Sequence, residues 1–172
     1  HPTSVLETGY DIIFFWVARM ILMSGYHLGE IPFEKVYLHG LIRDEQGRKM
    51  SKSLGNIIDP LDLIEKYGAD ATRLSLIIGA GPGNDMKLSE DKVRGYRNFA
   101  TKVWNASRFV IMNYDESLKA KPVYTKGDLA HLKRLKRVKE QVTADIDAFK
   151  FHRAADTLYH YFWHSFADKI IE

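Results

Sequence analysis

Apolar positions in the first half of the chain fall into short runs that glycines separate. Residues 4–9 form an apolar run ending at a glycine, which predicts a short buried strand. Residues 12–23 are apolar on nearly every side, as in a helix packed between a sheet and other elements, with Asp11 as a candidate cap and Gly25 and Gly29 as its end. Residues 35–40 predict a second strand. This alternation predicts the later units of a parallel α/β sheet.

The next segment has short predicted elements and many turn-forming residues. Residues 41–48 predict a hairpin-like excursion with a turn at 44–47. Asp59 followed by Pro60 is a strong helix start, and the short helix that follows stops at Gly68. A further helix is predicted from 69 to about 77. Residues 79–85 contain three glycines and a proline, and they form the clearest break in the chain.

After this break the apolar spacing becomes helical. Ser89 with Glu90 and Asp91 predicts a helix start, and apolar residues continue at helical spacing to about 111. A polar loop is predicted over 115–127, a second helix capped by Asp128 runs to about 149, and a third, aromatic helix begins near His152. Three long amphipathic helices predict part of a helix bundle. The predicted fold class is therefore α/β followed by all-α, with domains at 1–86 and 87–172.

Composition adds exclusions and one asymmetry. The chain has 172 residues, 45% hydrophobic and 27% charged, and no cysteine, so disulfides and thiolate metal sites are excluded. Residues 1–86 carry 8 Lys/Arg and 11 Asp/Glu, whereas residues 87–172 carry 17 and 11, so the halves have net charges of −3 and +6. A basic second half hints at a polyanionic partner, and solvated outer helix faces explain it equally well.

Targeting signals are not recognisable in the sequence. The chain begins His1-Pro2 without a basic region or an initiator Met, which suggests that it was cut from a longer protein. The longest apolar segment, residues 12–23, is too short for a membrane span and carries Arg19. A cytoplasmic protein with no membrane partner is expected.

The most specific pattern is the run Lys49-Met50-Ser51-Lys52-Ser53 between Gly47 and Gly55. Two lysines can reach a polyphosphate as mobile point charges, and serine hydroxyls with free backbone N–H groups can add hydrogen bonds to phosphate oxygens. For the two lysines alone, a solvated basic turn is the commoner interpretation. All five residues together resemble the KMSKS loop of class I aminoacyl-tRNA synthetases at every position.

Three further segments carry the same resemblance, in the family's order: residues 9–20, 38–41 and 97–109. Within the class, residues 9–20 and 82–85 resemble the valyl-tRNA synthetases. The resemblance implies an interior piece of such an enzyme, which is a protein-biosynthesis ligase. It would span the C-terminal half of a Rossmann-like nucleotide-binding fold, the stem region and the start of the helical anticodon-binding domain.

The resemblance also implies substrates and site residues. ATP, accompanied by Mg²⁺, and valine would react to valyl-adenylate, and the valyl group would pass to valine tRNA. Lys49 and Lys52 would stabilise the departing pyrophosphate, and Ile12 and Trp16 would wall the valine pocket, although without the resemblance both are core candidates. The implied ATP-binding residues are Gly9, Asp11, His39, Gly40, Lys49, Met50, Ser51, Lys52 and Ser53. For His39, a buried and hydrogen-bonded structural role is an equal alternative.

Contacts with tRNA are implied on the helices. The candidates are Arg97, Asn98, Asn105, Lys133, Arg134, Lys136 and Arg137. For the basic run a solvated helix face is equally plausible, and Arg97, Asn98 and Asn105 could instead tie the helix to the catalytic domain. His152, His160 and His164 have spacings that could suggest a metal, but packing within an aromatic helix is favoured and no metal site is predicted.

The sequence also departs from the family pattern. The family's first ATP motif, His-x-Gly-His, is missing, and the run at 27–30 ends in Glu30 instead. The editing domain would lie upstream. We therefore expect this chain alone not to activate valine, and we expect a monomeric parent enzyme. The alternatives are a non-catalytic tRNA-binding or interaction module and an isoleucyl-type synthetase.

Overall fold

The computed structural model describes residues 1–115, 117 and 122–171, and it divides into two compact units. The first, the sheet unit, comprises His1–Ile57 and Gly79–Ser89. The second, the helical unit, comprises Ile58–Ile78 and Glu90–Glu172. The division is interleaved along the chain, so the predicted assignment of 1–86 and 87–172 to two functional domains stays a prediction.

A β-α-β crossover organises the sheet unit. Strand β1 (Thr3–Gly9) pairs in parallel with β2 (Phe33–His39), in a register that runs from Thr3 opposite Phe33 to Gly9 opposite His39. The predicted strands and their parallel arrangement are confirmed. Because the strands are parallel, their carboxyl ends lie at one edge.

The helical connection differs from the prediction at both ends. It starts as a 3₁₀ turn (Tyr10–Ile12), continues as a π-helical segment (Ile13–Ala18) and becomes α1 (Arg19–Leu28). Asp11 is not the cap, because Gly9 occupies that position with extended backbone and no side-chain hydrogen bond. The helix runs through Gly25 and ends at Gly29, whose φ of +69° is the left-handed conformation that stops helices.

This helical run is longer than the sequence indicated. Tyr10–Leu28 spans 19 residues and is long and apolar enough, by length and composition, to cross a membrane. One such helix is weak support for a span, and Arg19 interrupts it. Most of its apolar side chains are exposed here, including Phe14, Leu22 and Tyr26. The predicted burial of this helix on nearly every side is therefore wrong for these residues.

A second small sheet follows. Strand β3 (Ile42–Arg43) pairs in parallel with β4 (Met86–Lys87), and Arg43 also bridges Lys49 in antiparallel fashion. The predicted turn is present, since the Gly47 N–H donates to the Asp44 carbonyl at 2.9 Å and Gly47 has φ +82°.

The helical unit begins as predicted. Helix α2 (Pro60–Tyr67) is capped by Asp59, whose carboxylate accepts from the Leu61 N–H at 2.8 Å, and α3 (Ala69–Ile77) follows Gly68. Helix α4 (Glu90–Met112) packs on α3, and its Val93 is fully buried. The Glu90 carboxylate accepts hydrogen bonds from Lys66 and, at 2.7 Å, from the Tyr67 hydroxyl, which fixes the start of α4 to the end of α2.

The last helices close on an aromatic cluster. Helix α6 (Phe151–Tyr161) continues as a π-helical segment (Phe162–Ile171) that packs on α4. Phe99 of α4 is buried, and its ring centroid lies 4.7 Å from Tyr159, 5.8 Å from Phe162 and 6.1 Å from Trp163.

Helix α5 (Lys126–Asp147) corrects a predicted cap. Thr125 is the N-cap and Asp128 its partner three residues later: the Asp128 N–H donates to the Thr125 hydroxyl, and the Thr125 N–H to the Asp128 carboxylate at 2.8 Å. Val142 is buried, but Leu129, Leu132 and Leu135 are about half exposed. The predicted loop over 115–127 lies partly outside the described residues, at 116 and 118–121.

Candidate active site

The carboxyl ends of β1 and β2 bring the first two predicted segments together. Gly9 is the register partner of His39, and the chain turns directly into the 3₁₀ turn that carries Asp11. A Cβ on Gly9 would lie 2.7 Å from the Asp11 carboxylate and 3.5 Å from the His39 ring. A side chain at position 9 would therefore displace Asp11. Ligands of open parallel sheets bind at this edge.

His39 is tied to its own surroundings. Its Nε2 lies 3.4 Å from the Glu7 carboxylate, and its Nδ1 lies 2.8 Å from the Gly40 carbonyl oxygen, which accepts. Burial and the Glu7 charge raise the pKa of the neighbouring Tyr37. His39 is thus oriented before any ligand arrives.

Close packing explains why position 40 is a glycine, and the sequence did not reveal this. A Cβ there would lie 1.8 Å from the Asn84 carbonyl oxygen, so the glycine-rich segment 79–85 occupies the space of a side chain. Its predicted contact with ATP stays a prediction.

The lysine loop faces the same edge. Lys49 Nζ lies 3.9 Å from the Asp11 carboxylate. Lys52 and Ser53 lie in a 3₁₀ turn (Lys52–Leu54) between Ser51, which caps it, and Gly55, with φ +61°. Lys49, Lys52 and Ser53 are exposed, and Met50 and Ser51 are half-buried. The structure thus brings Lys49 to the turn that holds Gly9 and Asp11.

A buried carboxylate lies beneath this loop. The Asp44 side chain is 7% exposed and accepts from Asn56 Nδ2 at 2.9 Å, from the Arg48 N–H at 2.7 Å and from Arg48 Nε at 2.8 Å. The hydrogen bond from Asn56, followed by those from Arg48, lowers the pKa of Asp44 to about 2. Asn56 also accepts from the Ser51 N–H at 2.9 Å and donates to the Lys49 carbonyl at 3.3 Å.

A second carboxylate joins three separate segments. Asp85 accepts from the Leu41 N–H at 2.8 Å, from Arg43 Nε at 2.6 Å and from the Tyr10 hydroxyl at 3.3 Å. The Leu41 hydrogen bond, and then Arg43, lower the pKa of Asp85, and Asp85 raises that of Arg43. Sequence reasoning missed Asp44, Asn56 and Asp85 as site-forming residues, because the pairs Asp44–Asn56 and Asp85–Leu41 join residues that are distant in sequence.

The proposed valine-pocket residues lie in the irregular first turns of the helical run and are accessible. Ile12 ends the 3₁₀ turn with φ −112° and ψ +14°, and Trp16 lies in the π-helical segment. Both side chains are about half exposed, and their role stays a prediction.

The candidate tRNA-binding residues do not form one cluster. Arg97 lines a recess of about 280 Å³ with Trp104, whereas Asn98 and Asn105 line a groove of about 670 Å³ with Lys102 and Trp163. The basic run on α5 is exposed. It consists of Lys133, Arg134, Lys136 and Arg137.

The histidines of the last helix have local partners. His160 lies 3.4 Å from Asp156, His164 lies 3.8 Å from Asp168, and the two imidazoles stack at 5.6 Å. Among the residues that the structure describes, no group of three His, Asp or Glu side chains could hold a metal ion.

Comparison with known proteins places this geometry in a class. The family model for "tRNA synthetases class I (I, L, M and V)" matches residues 1–89, and that for the "anticodon-binding domain of tRNA ligase" matches residues 128–172. The chain belongs to the class I tRNA synthetases of this group, which confirms the family assigned from the lysine loop.

The curated relatives narrow the resemblance to one member. Proteins named valine--tRNA ligase are 50% identical in Clostridium acetobutylicum and 47% identical in Aquifex aeolicus, over the whole of this chain. The chain spans 20% and 15% of their respective lengths.

Solved structures agree on the fold. A leucyl enzyme from Agrobacterium radiobacter K84, in a ternary complex with tRNA and LeuAMS, matches 99% of this chain and 24% of its own, with a TM-score of 0.77 and 23% identity. The Mycobacterium tuberculosis methionyl-tRNA synthetase bound by methionyl-adenylate matches 92% of this chain and 32% of its own, with a TM-score of 0.72 and 30% identity. The predicted Rossmann-like fold class is confirmed.

Proposed function

We propose that this chain supplies the lysine-loop side of the site where a valine–tRNA ligase activates valine with ATP. The observation that carries the proposal is the approach of Lys49 Nζ to within 3.9 Å of the Asp11 carboxylate, at the edge formed by Gly9 and His39. A mobile cation and a carboxylate thus meet where nucleotides bind in parallel sheets. Asp11 would bind the ribose hydroxyls of ATP. When ATP enters, Lys49 would leave Asp11 and bind the phosphates instead.

The proposed chemistry needs positive charge more than it needs a base. The valine carboxylate, ionised at neutral pH, attacks the α-phosphorus and forms the new P–O bond. The bond from the α-phosphorus to the bridging oxygen breaks, and pyrophosphate leaves with the electron pair. Lys49 and Lys52 would stabilise the charge that builds on it, since preplaced cations act most strongly where charge develops. Mg²⁺ would arrive with ATP as part of the substrate.

Amino-acid-dependent ATP–pyrophosphate exchange tests this function. The assay uses a protein of the relatives' full length that carries these residues, with valine, isoleucine, leucine and methionine compared. Valine should support exchange, and Lys52→Ala should lower kcat by about 100- to 1,000-fold, the usual cost of a lost transition-state contact. Lys150→Ala, an exposed lysine outside the site, is the matched control.

The outcomes separate the alternatives. Exchange with isoleucine in place of valine would point to an isoleucyl-type enzyme and overturn the pocket assignment of Ile12 and Trp16. No exchange with any amino acid would favour a non-catalytic tRNA-binding module. Residues 1–172 alone should give no exchange, because they lack the His-x-Gly-His motif.

The basic run on α5 supports a tRNA partner for the helical unit. Lys133, Arg134, Lys136 and Arg137 are exposed on a helix that the anticodon-binding family model covers. Contacts of lysine and arginine with phosphates release counterions, so affinity falls with salt. Lys133→Glu with Lys136→Glu should weaken binding of valine tRNA and flatten its salt dependence, measured by filter binding. A cytoplasmic location accords with this role.

A further inference from the structure

The lysine loop is held at its base by one amide. Asn56 accepts a hydrogen bond from the Ser51 N–H at 2.9 Å and donates to the Lys49 carbonyl at 3.3 Å. It therefore grips the backbone on both sides of Met50. The exposed turn Lys52–Leu54 extends beyond this point.

Asp44 anchors Asn56 in turn. The same Nδ2 group donates to the Asp44 carboxylate at 2.9 Å, and Asp44 also binds the Arg48 N–H and guanidinium. Asp44 is buried, although it sits in a turn whose neighbours Glu45 and Gln46 are exposed. A buried charge with three donors is rigid, since losing any donor leaves the carboxylate poorly solvated.

We propose that Asn56, anchored by Asp44, is the positioning residue that fixes where the lysine loop leaves the fold and so sets the reach of Lys49 and Lys52. This inference rests on the proposed function, which supplies the reaction that the lysines serve. Asn56 does not contact the substrates and acts only by positioning the loop. A displacement of about 1 Å at a catalytic group can lower a rate by about 100-fold.

The first test is a mutant cycle in the exchange assay on the full-length protein. Asn56→Ala should lower kcat by about 10- to 100-fold while the KM for valine changes by less than about twofold, as for a contact that matters in the transition state. Asn56→Ala added to a protein that already carries Lys49→Ala and Lys52→Ala should cause no further loss. Equal losses in both backgrounds would show a merely structural role and overturn the inference, as would no loss at all.

Exchanging the side chains of Asn56 and Asp44 provides a rescue experiment. Asn56→Asp places a second carboxylate beside Asp44 and should impair exchange, whereas Asn56→Asp combined with Asp44→Asn restores a donor facing an acceptor. The double variant should recover part of the lost kcat. Failure to exceed Asn56→Asp alone would contradict the anchoring role of Asp44. Asn113→Ala, which removes an exposed amide's hydrogen bond to the Phe109 carbonyl, is the matched control and should leave kcat unchanged.

A second measurement reads the loop without catalysis. Trypsin cleaves after Lys49 and Lys52, and Asn56→Ala should speed cleavage there by at least about tenfold without affecting cleavage elsewhere, because local opening is easier. Unchanged cleavage would overturn the inference even if exchange falls. If the unmutated protein shows no valine-dependent exchange, the proposed function fails, and this measurement still decides whether Asn56 holds the loop.

Discussion

Gly40 and Gly25 would meet very different surroundings if each gained a methyl group. A Cβ at Gly40 would lie 1.8 Å from the Asn84 carbonyl oxygen, whereas a Cβ at Gly25 in α1 would have nothing within 4 Å. We expect Gly40→Ala to destabilise the protein by about 3 kcal/mol, the upper part of the range for overpacking. Gly25→Ala should stabilise it by about 0.5–1 kcal/mol through helix propensity.

Urea unfolding of the two variants checks this contrast. The midpoint should fall for Gly40→Ala and rise for Gly25→Ala. A Gly40→Ala protein as stable as the original would mean that the Asn84 segment does not occupy this space.

Asp44 predicts a defined loss of stability in acid. The hydrogen bonds from Asn56 and Arg48 lower its pKa to about 2, from an ordinary value near 3.8. A lowered folded-state pKa gives stability that is present above the unfolded pKa and is lost as pH falls through the folded one. The contribution should therefore disappear between about pH 4 and pH 2, measured by urea unfolding across that range.

Asp44→Asn is the control for this pH effect, since an amide has no proton to gain. The variant should be less stable near pH 7, and its stability should fall less steeply below pH 4. A slope unchanged by the substitution would assign the acid sensitivity to other carboxylates, such as Asp85.

At the scale of single residues, the sequence predicted the residues of the lysine loop but not the residues that hold the loop in place. The lysine loop is recognisable because five specific residues are contiguous, whereas its approach to Asp11 was not predicted. Asp44 and Asn56 lie twelve positions apart, and Asp85 and Leu41 lie forty-four apart. No local pattern indicates such pairings, because only the folded backbone brings the groups together.

Among the elements, α5 depends on a reciprocal cap at its start. Thr125 and Asp128 each satisfy the other's backbone N–H. Thr125→Ala should destabilise the helical unit by about 1 kcal/mol, and Thr125→Ser should retain most of that stability. Hydrogen exchange of the first-turn amides of α5 measures the effect locally. Equal protection in both variants would contradict the prediction.

The aromatic cluster between α4 and the last helix is a larger source of stability. Phe99 is buried against Tyr159, Phe162 and Trp163. Phe99→Ala should cost about 3–5 kcal/mol, and Phe109→Ala, where the ring is half exposed, should cost much less. Thermal unfolding followed by tryptophan fluorescence compares them. Similar losses for both would mean that the cluster is not the core of this unit.

Helices and strands were predicted best where cap and turn residues within a few positions mark their ends. Asp59, Pro60 and Gly68 fix α2 by cap chemistry that acts within a few residues. The start of the first helix was misjudged, because a 3₁₀ turn and a π-helical segment replace regular α-helix there and apolar periodicity does not distinguish them. Asp128 was mistaken for the cap of α5 because either Thr125 or Asp128 could occupy that position in sequence.

At the scale of the whole molecule, many large apolar side chains are exposed among the described residues. Tyr26, Ile31 and Leu22 are each at least 70% exposed. Patches of this kind promote association. We expect residues 1–172 to self-associate, with sedimentation coefficients that rise over a tenfold concentration range.

Leu22→Glu should reduce this association, since it places a charge on the exposed face of α1. A single monomeric species at every concentration would contradict the prediction.

The two units are interleaved along the chain, and this limits how gene segments that encode them can be exchanged. The chain leaves the sheet unit after Ile57, returns to it at Gly79 and leaves again after Ser89. An exchange between two genes that carried residues 90–172 alone would separate α4 from α2 and α3, on which it packs. An exchange that carried residues 58–172 would instead take β4 away from β3. No single crossover between these residues transfers one unit whole, so the spatial boundary between the units cannot also be a recombination boundary.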